Sequence, residues 1–243
     1  MLSLLSKEIK SFLYSFIGYI VMVVFLLFTG LLLWCFPFET NILENGFSNI
    51  DPLFIIAPWI FLFLIPSITM RSFADEKKTG TIELLLTRPI TDMQIVFAKY
   101  FAGVLLVLLS LIPTLVYYYS VSKLGSPEGN IDTGGMWGSY IGLLFIGSAY
   151  VAIGIFSSSI TDNQIVSFIV SVCLCIFMFY GFETLGSFDL FSGIDTFVIS
   201  LGINDHYRSM SRGVIDSRDV IYFLSVIGVF LLFTRTTLES RKW

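Results

Sequence analysis

Six stretches of the chain contain no Asp, Glu, Lys, Arg or His: residues 12–36, 52–70, 100–121, 137–160, 165–182 and 220–234. A helix needs about 20 predominantly apolar residues to cross the hydrocarbon core, with about 17 to 25 observed. The first five stretches meet that length. The sixth does so if it runs on through Thr237, with Arg235 snorkelling to the surface. Only 13% of residues are charged, against roughly 25% in a soluble domain. The 25 Phe and 11 Tyr suit lipid-facing helices with interfacial belts. The expected fold is an all-α polytopic membrane protein with six transmembrane helices, forming one domain over residues 1–243.

Lys7 and Lys10 precede the first apolar run, as in a signal peptide. That run is too long for a signal h-region and lacks a small-residue cleavage site, so it reads as an uncleaved first span. With the N-terminus inside, ten of the fourteen basic residues fall on the inner side. The other four, Lys123, Arg208, Arg212 and Arg218, fall outside, with eleven of the eighteen carboxylates. The excess of Lys and Arg within predicts cytoplasmic N- and C-termini.

Local signals mark the boundaries of several spans. Asp51-Pro52 reads as an N-cap followed by proline at the first helical position. Thr91–Gln94 and Thr161–Gln164 have capping-box spacing. Pro58 and Pro66 predict a kink in the second span. In the fourth, Gly138, Gly142, Gly147 and Gly154 are small residues at which helices can approach closely in lipid, within one chain or between subunits.

The polar interruption at 71–99, RSFADEKKTGTIELLLTRPITDMQIVFAK, carries five of the basic residues: Arg71, Lys77, Lys78, Arg88 and Lys99. Beside these charges lie Ile82, Leu84, Leu85 and Leu86, an apolar cluster that a purely solvated loop has no reason to carry. The stretch reads as a cytoplasmic helix-turn segment against which something docks. A hairpin packed only on its own membrane domain is the alternative. The loop at 183–219 spaces Phe188, Phe191, Ile194, Phe197, Val198 and Leu201 helically, as a partly interfacial helix would.

Several chemistries are disfavoured. The spans hold no ionisable group that could titrate along a proton path, which counts against an ion-coupled secondary transporter. Cys35, Cys173 and Cys175 lie in apolar runs without a companion His, so neither a metal site nor a disulfide framework is expected. His206, the lone histidine, reads as an ordinary hydrogen-bonding residue. No G-x-x-x-x-G-K-[ST] phosphate loop is present, the nearest fragment being Lys78-Thr79. Energy for active transport must therefore come from another chain. Nucleic acid is not an expected partner.

Three portions of the sequence resemble the type-2 ABC (ABC-2) exporter permeases, in particular the permease of the gliding-motility-associated ABC transporter of Bacteroidota. LLSKEIKSFLYSFIGYI is similar to that family's amphipathic lead-in helix, placed at residues 1–11, followed by Gly18-Tyr19. The most specific match comprises Thr69, Met70, Arg71, Glu76, Gly80, Thr81, Glu83, Leu84, Leu85 and Pro89. A late match comprises His206, Tyr207, Gly213, Asp216 and Asp219, with Tyr207 standing where phenylalanine is usual.

The resemblance implies a type V exporter-like, non-catalytic permease subunit in the bacterial inner membrane. It also implies a second permease copy or related permease, and a separate ATP-binding subunit that holds ATP and Mg, with no cofactor in this chain. The segment at 71–99 would be the coupling helix, with Glu76, Lys77, Lys78, Gly80, Thr81, Glu83, Leu84, Leu85, Leu86, Arg88 and Pro89 as docking residues. Export, a membrane-anchored accessory protein and a role in gliding motility or secretion are further implications. A non-transporting anchor that recruits an ATPase remains the alternative function.

Overall fold

The structure, a computed structural model, describes residues 2–86, 90–188 and 195–240. Every regular element among them is helical. The chain opens with α1 (Leu2–Tyr14), α2 (Phe16–Trp34) and the short α3 (Ile42–Asn45). It continues through α4 (Asp51–Thr69), α5 (Ala74–Lys78) and α6 (Thr81–Leu86) to α7 (Asp92–Leu111). A 3-10 turn at Ile112–Thr114 leads into α8 (Leu115–Leu124), followed by α9 (Thr133–Ile160) and α10 (Gln164–Ile176). A π turn over Phe177–Gly181 leads to α11 (Phe182–Ser187). Then come α12 (Asp195–Ile199), α13 (Ile203–Met210) and α14 (Ser217–Glu239).

Among the described residues, five helices are long and apolar enough to cross a membrane, or six if one bent pair forms a single span. That pair is Ser3–Tyr14 with Gly18–Trp34, bent by 62°. The amphipathic lead-in helix therefore runs to Tyr14, and the first apolar stretch is divided near Ser15 rather than continuous from residue 12. The bend needs glycine: a Cβ on Gly18 would lie 2.5 Å from the Phe12 carbonyl oxygen. The last span starts earlier than its apolar stretch and reaches 23 residues. Asp216 caps it by accepting the Arg218 amide at 3.0 Å, a bond that holds the Asp216 carboxyl below its usual range.

Two helix starts differ from expectation. Asp51 lies in the first turn of α4, because the Leu53 amide already bonds to Ile50. Its carboxylate still complements the positive helix end. Asn163 caps α10 by accepting from Ile165 at 2.9 Å, while Thr161 accepts from Asn163. The expected box at Thr161–Gln164 is thus replaced, freeing the Gln164 amide for a tertiary contact. At Thr91–Gln94 both bonds of the box are formed.

Helix α9 is the hub, packed on α4, α7, α10 and α14. Its glycines admit neighbours of the same chain. A Cβ on Gly138 would meet Gly213 Cα at 2.6 Å, one on Gly142 would meet Met210 Cβ at 2.8 Å, and one on Gly147 would meet Val107 at 2.7 Å. At Gly154 the obstacle is Thr69. Gly213 itself has φ +82° and would strike Gly135 with any side chain. In lipid, where apolar burial gives helices little reason to associate, this close approach supplies the dispersion contacts.

Helix α4 runs through both prolines. Pro58 has no N–H, so it cannot satisfy the carbonyl of Phe54 four residues earlier. Tyr207 does so instead, its buried hydroxyl donating to the Phe54 oxygen at 2.6 Å. Burial pushes the Tyr207 phenol well up, which keeps it a donor. The departure from phenylalanine at this position thus has a structural reason. Tyr207→Phe is expected to cost about 1–3 kcal/mol, the range for a buried group left unsatisfied. The loss should shrink in a Pro58→Ala background, where the alanine N–H supplies the missing donor. A double-mutant cycle on thermal unfolding reads the coupling.

Candidate functional site

The segment after α4 is locally autonomous only in part. Helix α5 begins without a side-chain cap of its own. Ser158, near the end of α9, takes that role from outside: its Oγ accepts the amides of Phe73 at 2.9 Å and Ala74 at 3.0 Å and donates to the Met70 carbonyl at 3.0 Å. Orphan donors at a helix start are thereby satisfied by a neighbouring span. Ser158→Ala removes all three bonds, and we expect a loss of about 1–3 kcal/mol, with earlier proteolysis in the 71–90 region as the readout.

Two further ties fix α5. Gln164, at the start of α10, donates to Asp75 Oδ1 at 2.6 Å. Lys77 donates its ammonium to the Ser159 carbonyl at the end of α9. The segment is therefore continuous with α4 and bonded to both sides of the α9–α10 turn.

A buried ion cluster closes the other side. Lys99 of α7, 3% exposed, lies 3.0 Å from Glu76 Oε2 and 3.2 Å from Glu8 Oε1 and donates to the Ser72 carbonyl at 2.7 Å. Its ammonium also lies 5.0 Å from the centre of the Phe73 ring, close enough for a cation–π contact. Lys7 stands at the solvent rim, 3.7 Å from both Glu8 and Glu76. One lysine thus joins α1, α5 and α7.

The sequence-predicted residues divide accordingly. Glu76 is turned inward to Lys99, and Lys77 is engaged with α9. Lys78, Gly80, Thr81 and Glu83 are exposed on the outer side. Gly80, at φ +70° with open space around it, makes the turn between α5 and α6. Leu84, Leu85 and Leu86 lie on α6, but the structure does not describe their side chains; Arg88 and Pro89 lie outside the described residues. Glu8, Ser158 and Gln164 were not singled out as site residues. Of their signals, only the nearness of Glu8 to Lys7 and Lys10 in an amphipathic helix is local.

At the opposite end, His206, Asp219 and Tyr222 form a second polar knot. His206 Nδ1 is 2.7 Å from Asp219 Oδ1, its Nε2 is 2.8 Å from the Ser200 carbonyl, and its ring stacks on Tyr222 at 3.9 Å. The Tyr222 hydroxyl donates to Leu201 at 2.6 Å. Glu183 accepts from Asn204 and pairs with Arg208, at 2.7 and 3.0 Å. These bonds fasten α13 to α14 and to α11, while Phe191 and Ile194 of the expected interfacial helix lie outside the described residues. Both ring nitrogens of His206 are engaged, which fits a positioning residue in the loop.

The arrangement defines a class: a multi-pass helical membrane domain with a helix-turn-helix bonded to several spans at one end. The particular family follows from comparison. The model for the ABC-2 family transporter proteins matches residues 2–233, nearly the whole chain, and the chain belongs to that family. It is a membrane permease component of an ABC transporter, and the family implies pairing with an ABC ATP-binding subunit. No curated protein matches the chain.

Proposed function

We propose that the chain is the membrane subunit of an ATP-driven exporter and that α5, the Gly80 turn and α6 dock on a separate ATP-binding subunit. The observation that carries this reading is the contrast between the two sides of the segment. Its inner side is fastened to α1, α7, α9 and α10, while Lys78, Gly80, Thr81 and Glu83 are exposed on its outer side. A segment built this way transmits displacement instead of absorbing it. ATP binding closes the ATPase pair, the segment moves with it, and α4 and α10 follow through chain continuity and the Asp75–Gln164 bond.

Leu84, Leu85 and Leu86 supply the apolar contact, roughly 1.5–3 kcal/mol each if fully buried. Exposed charges at the rim set register and add less. On this reading the segment and both termini are cytoplasmic, and a second permease copy completes the transporter in the inner membrane. The likeness of the 69–89 and 206–219 motifs to gliding-associated permeases supports a role in gliding motility or secretion, with a membrane-anchored accessory protein. ATP hydrolysis by the ATP-binding subunit, measured in proteoliposomes, tests the coupling. This chain should change the rate, and Glu83→Arg combined with Leu85→Asp should abolish the change; a rate indifferent to the chain contradicts the proposal.

A further inference from the structure

An open apolar groove of about 630 Å³ runs between α2 and α4. Its walls include Val24 and Phe28 on one side and Trp59 and Phe63 on the other. From Ile56 to Ser67 it follows α4 for about 17 Å at 1.5 Å per residue, close to one leaflet's share of the hydrocarbon core, about 15 Å, and it ends at Met70 and Arg71 just past the helix. Among the described residues, Arg71 is the only charged one lining the groove. The same Arg71 also lines a polar hollow of about 270 Å³ bounded by α1, α5 and α7, where Lys7 and Ser11 face it.

The charges of that hollow are unevenly committed. Glu8 and Glu76 are held by Lys99 with Lys7 at the rim, and Asp75 is engaged by Gln164. Arg71 is exposed and makes no ion pair among the described residues. An apolar trough one acyl chain long thus ends at an uncommitted guanidinium beside a polar chamber. A guanidinium is the side chain best suited to bidentate phosphate recognition.

We propose that this groove and hollow form a site for one anionic glycerophospholipid of the bilayer. An acyl chain lies between α2 and α4, the phosphate on Arg71, and the headgroup in the hollow beside α1 and α5. A second copy of the chain is a poorer occupant. A two-fold contact presents the same patch on both sides, so it would bring in another Arg71 and no carboxylate from the groove. The site goes beyond the docking reading: it makes the lipid a wedge against the base of the coupling segment.

Trp59 lines the groove and is 48% exposed, so it reports occupancy. A variant keeping Trp59 (Trp34→Phe, Trp137→Phe, Trp243→Phe) is placed in phosphatidylcholine proteoliposomes. These are titrated with brominated phosphatidylglycerol or, separately, brominated phosphatidylcholine. The proposal expects quenching by the anionic lipid at about fivefold lower mole fraction, the factor for a single basic contact. Arg71→Ala should erase the preference, and Arg71→Lys, which keeps the charge but not the planar fork, should retain only part of it. Equal quenching by both lipids, a preference that survives Arg71→Ala, or a Trp59 that neither lipid reaches because another copy covers it would overturn the site. If the reporter variant misfolds, native mass spectrometry with the full tryptophan set replaces it. Phosphatidylglycerol adducts that Arg71→Ala loses would support the site, and adducts that persist would overturn it. No ATP-binding subunit is present in either assay, so failure here and failure of docking are separate results.

Discussion

Lys99→Met is expected to destabilise the protein by about 3–5 kcal/mol, the range for removing one partner of a buried ion pair. The substitution conserves most of the side chain's volume, so the loss is electrostatic. Glu8 and Glu76, with side chains 9% and 15% exposed, would lose their nearest cation, and the Ser72 carbonyl its donor. Lys7 cannot substitute, since its side chain is 60% exposed and stands 3.7 Å away. Thermal unfolding in detergent should show a large downward shift. Adding Glu8→Gln and Glu76→Gln should recover much of it, because neutral amides avoid the stranded charge. If Lys99→Met melts with the wild type, the cluster does not hold α1, α5 and α7 together.

The second large effect is steric. Gly138→Ala should cost at least about 1–3 kcal/mol, the usual range for overpacking. A Cβ there would lie 2.6 Å from both Gly213 Cα and its carbonyl oxygen. Backbone meets backbone at this point, and no rotamer can relieve the clash. Gly147→Ala should cost less, since the obstacle is a Val107 methyl that can shift. Gly228→Ala should be neutral or stabilising by up to about 1 kcal/mol, the helix-propensity gain, because nothing lies within 4 Å. A thermal-shift series over the three variants should reproduce that order. Equal shifts would mean that α9 does not pack at this distance.

The helical fold was readable because charge-free runs in lipid leave the backbone few alternatives. The less legible parts depend on tertiary partners. The break near Ser15 hides inside an unbroken apolar run, and only the approach of Gly18 to the Phe12 carbonyl explains it. Asn163, not Thr161, caps α10, and the displaced Gln164 becomes a bridge to Asp75. For Tyr207, Phe54 and Pro58, the reason for a hydroxyl appears only when elements about 150 residues apart in sequence meet over a missing N–H.

The candidate site divides in the same way. Its location could be read from polarity and motif, since 71–99 is the long charged interruption between two apolar runs. The orientation of its residues could not. Lys77 and Lys78 are neighbours in sequence, yet one bonds to α9 and the other is exposed. Glu76 reads as a docking residue but completes a buried cluster whose other members lie 68 and 23 residues away, at Glu8 and Lys99. Lys99 sits one residue before a charge-free run and is nonetheless buried inside the bundle.

The central claim is that the outer side of α5 and α6 is the ATPase-docking surface. Its most direct test is co-purification in detergent with the candidate ATP-binding subunit, comparing wild type with the double variant Glu83→Arg plus Leu85→Asp. Lys123→Glu, at the opposite end of the bundle, serves as control. The account predicts that wild type and Lys123→Glu retain the ATPase, while the double variant loses it and still elutes as a folded, monodisperse species. Equal retention by all three would place docking elsewhere and contradict the account.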